Sequence, residues 1–154
     1  MRYPAFVLAT VFGVFLCGCS RTPGAPKYPV EGTVLVNGQP AAGMIVRFHA
    51  RGQGLEAQDA QPAAVADENG RFKMSSFGNK DGAAAANYVA TFYWPTNPFL
   101  ASEDRLQGRF ASIDESDFSV TVTEETTVLE PFELDVEERD LLPRVDLESL
   151  KGVR

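Results

Sequence analysis

A chain of 154 residues with ten prolines, thirteen glycines and a formal net charge of −7 is of single-domain size, large enough to bury a core, and composed for strands and turns rather than for long helices. The acidity is concentrated at one end, since from Glu124 onward ten Asp/Glu stand against four Lys/Arg. The remaining body is close to neutral and carries no basic patch, which excludes nucleic acid as a partner.

The N-terminus is the most informative segment. Met1-Arg2 precede an almost wholly apolar run over 5–16, AFVLATVFGVFL, followed by Cys17-Gly18-Cys19-Ser20. A membrane-spanning helix needs about 20 apolar residues. This shorter run is expected to be a removable signal segment over residues 1–18. Leu16-Cys17-Gly18-Cys19 resembles the lipobox of bacterial lipoproteins. That resemblance implies recognition of Leu16, Cys17 and Gly18 by the signal peptidase and attachment of diacylglycerol to the Cys19 thiol. Each buried CH₂ contributes about 0.8 kcal/mol of membrane affinity, so two or three acyl chains on Cys19 make a stable anchor. The implied location is the cell envelope, on the periplasmic face. Ser20 is not an acidic retention signal, which favours the outer membrane. Cys17 leaves with the signal and Cys19 is consumed by lipid, and the chain has no third cysteine. No disulfide, thiolate metal site or catalytic cysteine is therefore expected.

Residues 19–29, with SRTPGAPKYP after the cysteine, read as the lipidated residue and a flexible tether. The domain is expected over residues 30–134. Val30, Gly32, Val34 and Val36 alternate with Glu31, Thr33 and Leu35 at the strand period of two. Asn37-Gly38 supplies the two positive φ angles of a type I′ turn, and residues 43–50 are expected to return beside residues 30–36, with Met44, Val46 and Phe48 on one side and Ile45, Arg47 and His49 on the other. Residues 52–61 are polar and read as a loop, and residues 62–66 as a small-residue strand. Asp67-Glu68-Asn69-Gly70 turns the chain into a strand over 71–77 in which Phe72, Met74 and Ser76 are expected to face inward. YVATFYW over 88–94 is rich in aromatic and β-branched residues and is the candidate central strand. Residues 97–116 show no sustained period. Residues 118–123 and 127–134 are expected to pair as a last hairpin. Seven short strands separated by turn signals give an all-β fold, a seven-stranded prealbumin-like or Ig-like β-sandwich. The charged tail, 135–154, is either a disordered extension or a short helix over 143–150 ending at Gly152.

The order YPVEGTVLVNGQPAAGMIVRFHA, ADENGRFKMSSFGNKDGAAAANYVATFYWP, EDRLQGRF and FSVTVTEETTVLEPFEL is similar to the carboxypeptidase-regulatory-like, transthyretin-related lipoproteins of planctomycetes. The resemblance spans residues 28–134 and implies a prealbumin-like sandwich, a lipid anchor and no established activity. The related hydroxyisourate hydrolases require several histidines and a C-terminal Tyr-Arg-Gly-Ser motif, and this chain has a single histidine and ends Lys151-Gly152-Val153-Arg154.

No catalytic set emerges from the residues. His49 has no second histidine or cysteine with which to build the usual zinc site, and it reads as a solvent-facing side chain. Asp67 and Asn69 offer oxygens at alternate positions, but calcium takes six to eight, and Arg71 and Lys73 follow; this is a turn. Glu103-Asp104 and Asp114-Glu115 read as solvated loop pairs rather than as the two carboxylates of a glycosidase. No catalytic residue, metal site or cofactor is assigned. The leading expectation is a non-enzymatic, lipid-anchored envelope module with a structural or protein-binding role, supporting or binding other envelope components, with 97–116 as the contact region. The alternative is a carbohydrate-binding module whose platform for surface polysaccharide is Trp94 and Phe99. An exposed Trp94 favours that alternative, and a buried one removes it.

Overall fold

The structure is a computed structural model that describes residues 24–52, 54–55, 59–97 and 102–145. Leu16, Cys17, Gly18, Cys19 and Phe99 lie outside the described residues. Within them the chain is all-β, with one 3-10 turn at Glu138–Asp140 and no α-helix.

The strands in chain order are β1 Lys27–Tyr28, β2 Val30–Val36, β3 Gln39–Pro40, β4 Ile45–Ala50, β5 Ala63–Val65 and β6 Arg71–Lys73, followed by β7 Ala83–Ala84, β8 Ala86–Tyr93, β9 Ser119–Val122, β10 Thr127–Val128 and β11 Phe132–Leu134. They form a four-stranded antiparallel sheet in the order β5-β4-β8-β9, a sheet centred on β2, and a two-stranded ribbon of β1 and β7. Around β2, β10 and β11 run parallel along one edge, while β6 and β3 run antiparallel along the other. Where seven strands were expected, the described residues form eleven short strands in three sheets, none closed into a barrel, and the arrangement is sandwich-like.

Alternation fixed which side chains point inward. Val30, Val34, Val36, Met44, Val46, Phe48, Phe72, Met74, Tyr88, Phe92, Val120, Val122, Phe132 and Leu134 are all buried. The two main sheets meet through an aromatic cluster centred on Phe132, whose ring lies 5.2 Å from Phe92, 5.7 Å from Phe118, 6.0 Å from Phe72 and 6.5 Å from Phe48. Centroid separations of 4.5–7 Å are those at which aromatic pairs attract beyond simple area burial. Gly32 makes room for this cluster, because a Cβ there would stand 2.5 Å from the Phe72 ring.

Two expected hairpins are not formed. The Asn37-Gly38 turn exists, with φ of 51° and 73°, but the chain pairs back for only two residues, Leu35 with Pro40 and Val36 with Gln39. Pro40 has no N–H with which to continue the ladder. Past Gly43, whose φ is 80°, the chain enters the other sheet, where β4 pairs with β8 and β5. The apolar faces of β2 and β4 thus meet across the sandwich instead of lying side by side. In the same way β9 pairs with β8 while β10 and β11 join β2, so residues 118–134 cross between sheets. The central position expected for residues 88–94 is observed: β8 lies between β4 and β9.

The registers define two ends of the domain. Ala50 pairs with Tyr88 at one end of β4 and Ile45 with Tyr93 at the other. The entering chain lies at the Tyr88 end, where Lys27 pairs with Ala84 and the Ala50 N–H bonds the Ala60 carbonyl. The Tyr93 end carries residues 94–97, 102–110 and 135–145, joined by bonds from the Leu142 N–H to the Arg105 carbonyl and from the Val145 N–H to the Thr96 carbonyl. The described part of the tail, residues 135–145, is therefore fastened to the domain: Val136 is buried, and the Asn37 side chain bonds both its N–H and its carbonyl. Of the helix expected over 143–150, residues 143–145 are not helical and the rest lies outside the described residues.

Candidate functional site

The entering chain is not a free tether over all of residues 19–29. Asp59 is fully buried, and its carboxylate sits 2.6 Å from the Lys27 ammonium while accepting the Ala25 N–H at 2.8 Å. Burial pushes the Asp59 pKa up, but the bond from Lys27, the bond from Ala25 and the charge of Lys27 outweigh it, and the net shift is downward. A charge this deep persists only when paired and hydrogen-bonded. Lys27 also stands 5.4 Å from the Phe77 ring centroid, a cation–π distance, and Phe77 itself is exposed. The loop behind Phe77 is held by Asp81, whose carboxylate accepts the N–H groups of Ser76 and Phe77. The chain is thus pinned to the Tyr88 end of the domain from Ala25 onward.

At the opposite end the structure corrects the platform expected at Trp94. The side chain follows the same alternation as Tyr88 and Phe92 and is 9% exposed. Its Nε1–H donates to the Ala42 carbonyl at 2.9 Å, and the Arg105 guanidinium covers the ring at 3.8 Å from its centroid. Arg105 is in turn held by the Leu142 carbonyl at 2.8 Å. Burial, with a lesser contribution from the charge of Arg144, lowers its pKa. No face of the indole is left for a sugar ring to stack upon.

Asp104 is also not the solvated loop acid that was expected. Its carboxylate accepts the N–H groups of Trp94 at 2.9 Å, Leu106 at 3.1 Å and Gly108 at 3.0 Å. The Tyr93 hydroxyl donates to the Ser102 carbonyl. These bonds hold residues 102–110 in a fixed shape, as a built surface rather than a loose excursion.

His49 differs from expectation as well. Residues 111–116 form a strap across the outer face of the four-stranded sheet. The Ser116 hydroxyl donates to the Ala90 carbonyl at 2.6 Å, and Arg51 donates to the Ile113 carbonyl at 3.0 Å. Beneath the strap Thr91 is buried although it points outward from the sheet. A recess of about 310 Å³ remains, lined by Arg47, His49, Thr91 and Tyr93 on the polar side and by Ile45 and Ile113 on the apolar side. His49 Nε2 lies 2.9 Å from Thr91 Oγ1, whereas Nδ1 is shielded and has no hydrogen-bond partner. Burial first, and the charge of Arg47 second, lower the His49 pKa, which favours the neutral ring. Among the described residues no three His, Cys, Asp or Glu side chains converge as metal ligands.

The sequence reading missed Asp59 and the strap. Asp59 belongs to a polar stretch without periodicity, and its role comes from a lysine 32 positions earlier. Nothing local marks it. The strap carried a weak signal, since Ile113 is a lone large aliphatic residue in a polar segment.

The site and fold together define an all-β, sandwich-like domain with one end pinned to its own N-terminal segment. No family model matches the chain, and no curated protein matches it. Among solved structures it is similar to a DUF3823 family protein from Parabacteroides merdae, at 16% identity and a TM-score of 0.39, over 71% of this chain and 46% of that one. It is similar to (S)-allantoin synthase at 14% identity and a TM-score of 0.39, over 73% and 42% of the two chains. It is also similar to a 9R-lipoxygenase from Cyanothece at 14% identity and a TM-score of 0.37, over 75% and 18%. The chain thus spans less than half the length of each of these proteins, and likeness at this level decides neither strand topology nor activity.

Proposed function

We propose that this chain is a non-enzymatic, lipid-anchored module of the bacterial cell envelope, of the carboxypeptidase-regulatory-like type, which holds a β-domain close to a membrane and presents its far end to another envelope protein. The observation that carries the reading is the pin at Asp59. Ala25 is tied to it, and Cys19 precedes Ala25 by six residues. At about 3.5 Å per residue the free leader is no longer than roughly 21 Å. A leash shorter than the domain keeps the Tyr88 end toward the lipid. The Tyr93 end, with residues 102–110 braced by residues 135–145, then faces away and is free for a partner. The Trp94 geometry withdraws support from polysaccharide stacking.

Intact mass and membrane fractionation test this in a bacterium that processes lipoproteins, comparing the natural chain with Cys19→Ala. The expected result is a form beginning at an acylated Cys19 in the membrane fraction, and release of the Cys19→Ala chain from that fraction. An unmodified chain that is soluble in both cases overturns the anchor.

A further inference from the structure

We propose that the loop over 76–80 is a lipid-contacting surface, in which Phe77 enters the hydrocarbon edge of the bilayer beside the anchor. The inference rests on the lipid-anchored reading and adds to it the surface that meets the membrane. Phe77 is the one exposed aromatic side chain among the described residues, at 62%, where the other described phenylalanines are buried or half-buried. A single apolar residue on a surface is ordinary. The loop that carries this one is not. The Asp81 carboxylate accepts the N–H groups of Ser76 at 2.8 Å and Phe77 at 3.2 Å, the Ser76 hydroxyl donates to the Gly82 carbonyl, and Ser75 Oγ accepts the Lys80 N–H at 2.8 Å. The three residues after Phe77 all lie at positive φ, Gly78 at 134°, Asn79 at 46° and Lys80 at 63°. The last two carry side chains, which disfavour that region. Such strain persists only where surrounding bonds over-determine it, and it clusters at functional sites. The loop is braced to hold an aromatic ring out in the solvent, and covering that ring is left to something outside the domain.

Position decides what covers the ring. The Lys27 ammonium lies 2.5 Å from the Ala25 carbonyl and 5.4 Å from the Phe77 centroid, so the ring stands within about 8 Å of the residue at which the leader is pinned. Six residues separate Ala25 from Cys19, a reach of roughly 21 Å at most. A bilayer that holds acyl chains on Cys19 is therefore never further from the ring than the leader and this short offset allow. The chain itself brings no protein partner so near. Hydrocarbon receives the ring because its area leaves water. Charge does not supply the attraction. The Lys27 ammonium is paired with Asp59, and Glu124 and Glu125 stand at the same end, in the turn between Val122, which pairs with Ala86, and Thr127, which pairs with Val30. The contact is apolar and made by Phe77, with those glutamates left in water.

The chain holds a single tryptophan, Trp94, buried at the opposite end, which serves as an internal reference. The experiment uses the acylated chain purified from a lipoprotein-processing bacterium and reconstituted into vesicles of phosphatidylethanolamine and phosphatidylcholine, with and without bromine high on the acyl chains. Phe77→Trp and Glu125→Trp, both at exposed positions of the same end, place a second indole on and off the loop without touching the core. The expected result is that bromine lowers the emission added by Phe77→Trp at least twofold, at low and high salt alike because the contact is not ionic. The emission of the natural chain, and that added by Glu125→Trp, should stay nearly constant. A chain that floats with the vesicles, but whose Phe77→Trp emission bromine lowers no more than that of Glu125→Trp, overturns the docking and leaves the anchor standing. A blue-shifted yet unquenched Phe77→Trp emission assigns the loop to a protein neighbour and overturns the docking too. A chain that does not float overturns the anchor, and this inference with it.

Discussion

Replacing Asp59 isolates the contribution of the pin. The carboxylate is buried, with only 1% of its side chain exposed against 13% for Lys27. Asp59→Asn keeps an acceptor for the Ala25 N–H but leaves the Lys27 ammonium without a counter-charge. Breaking a buried pair from one side costs roughly 3–5 kcal/mol. The lower value applies here, about 3 kcal/mol, because Lys27 retains the Ala25 carbonyl and some access to water. Asp59→Ala adds the loss of the Ala25 bond, about 1 kcal/mol more. For a chain of this length 1 kcal/mol moves Tm by roughly 3 °C, so Asp59→Asn is expected to lower Tm by about 10 °C in circular-dichroism melts at pH 7. The pH dependence has a definite sign. The folded Asp59 pKa lies below its ordinary value of 3.8, so its contribution is complete above about pH 3.8 and is lost as pH falls through the folded value. The natural chain should therefore lose stability on acidification below pH 3.8 more steeply than Asp59→Asn. Adding Lys27→Met to Asp59→Ala removes the orphaned charge and should recover part of the loss. A Tm for Asp59→Asn within 2 °C or so of the natural chain, with the same acid limb, refutes the reasoning.

Other expectations follow from single contacts. Arg105→Ala uncovers the only tryptophan of the chain and releases the Leu142 carbonyl; a red-shifted Trp94 emission and a loss of about 1–3 kcal/mol are expected in fluorescence and chemical denaturation. Neutral sugars should leave Trp94 emission unchanged at any concentration short of general solvent effects, since both faces of its ring are occupied. The Tyr88 hydroxyl donates to the Ala84 carbonyl inside the core, and burial, then the charge of Asp59, raise its pKa to about 12. Absorbance titration should show one tyrosine lagging the others, with stability lost as pH rises from 10, where the unfolded tyrosine ionises, toward 12. Gly82 has a φ of 91°, and a Cβ there would fall 1.9 Å from the Tyr28 carbonyl oxygen. Gly82→Ala should cost at least about 1–3 kcal/mol and, in hydrogen exchange, should open the β1–β7 ribbon first.

Much of the sandwich was legible because burial on one face of a strand imposes a period of two. Val30, Val34 and Val36, then Met44, Val46 and Phe48, then Tyr88 and Phe92 all stand inside as that period requires. What the period does not carry is the identity of the neighbouring strand. A strand whose apolar face must be covered is satisfied equally by lying beside its predecessor or by facing it, and here Pro40 and Gly43 turned the chain to the facing sheet. The Asn37-Gly38 turn was readable from its backbone demands alone. Trp94 was readable too, since it shares the face of Tyr88 and Phe92, and its use as a platform contradicted that alternation. Asp59, Asp104 and His49 were not readable. Their decisive partners are distant in the chain: Lys27 for Asp59, the Trp94 N–H for Asp104, and a strap more than sixty residues away for His49.

The claim that the membrane holds one end of the domain and leaves the other free is open to a direct distance test. The two cysteines of the chain are removed or acylated in the proposed mature form, so single labels can be placed at the exposed positions Phe77→Cys, beside the pin, and Glu103→Cys, at the opposite end. An eight-residue strand such as β8 spans about 26 Å, and a leader of roughly 21 Å cannot erase that separation on average. Quenching by nitroxide-bearing lipid headgroups, measured on the membrane-bound protein, should be several-fold stronger for the label at 77 than for the label at 103. Equal quenching at the two positions, or stronger quenching at 103, contradicts the account.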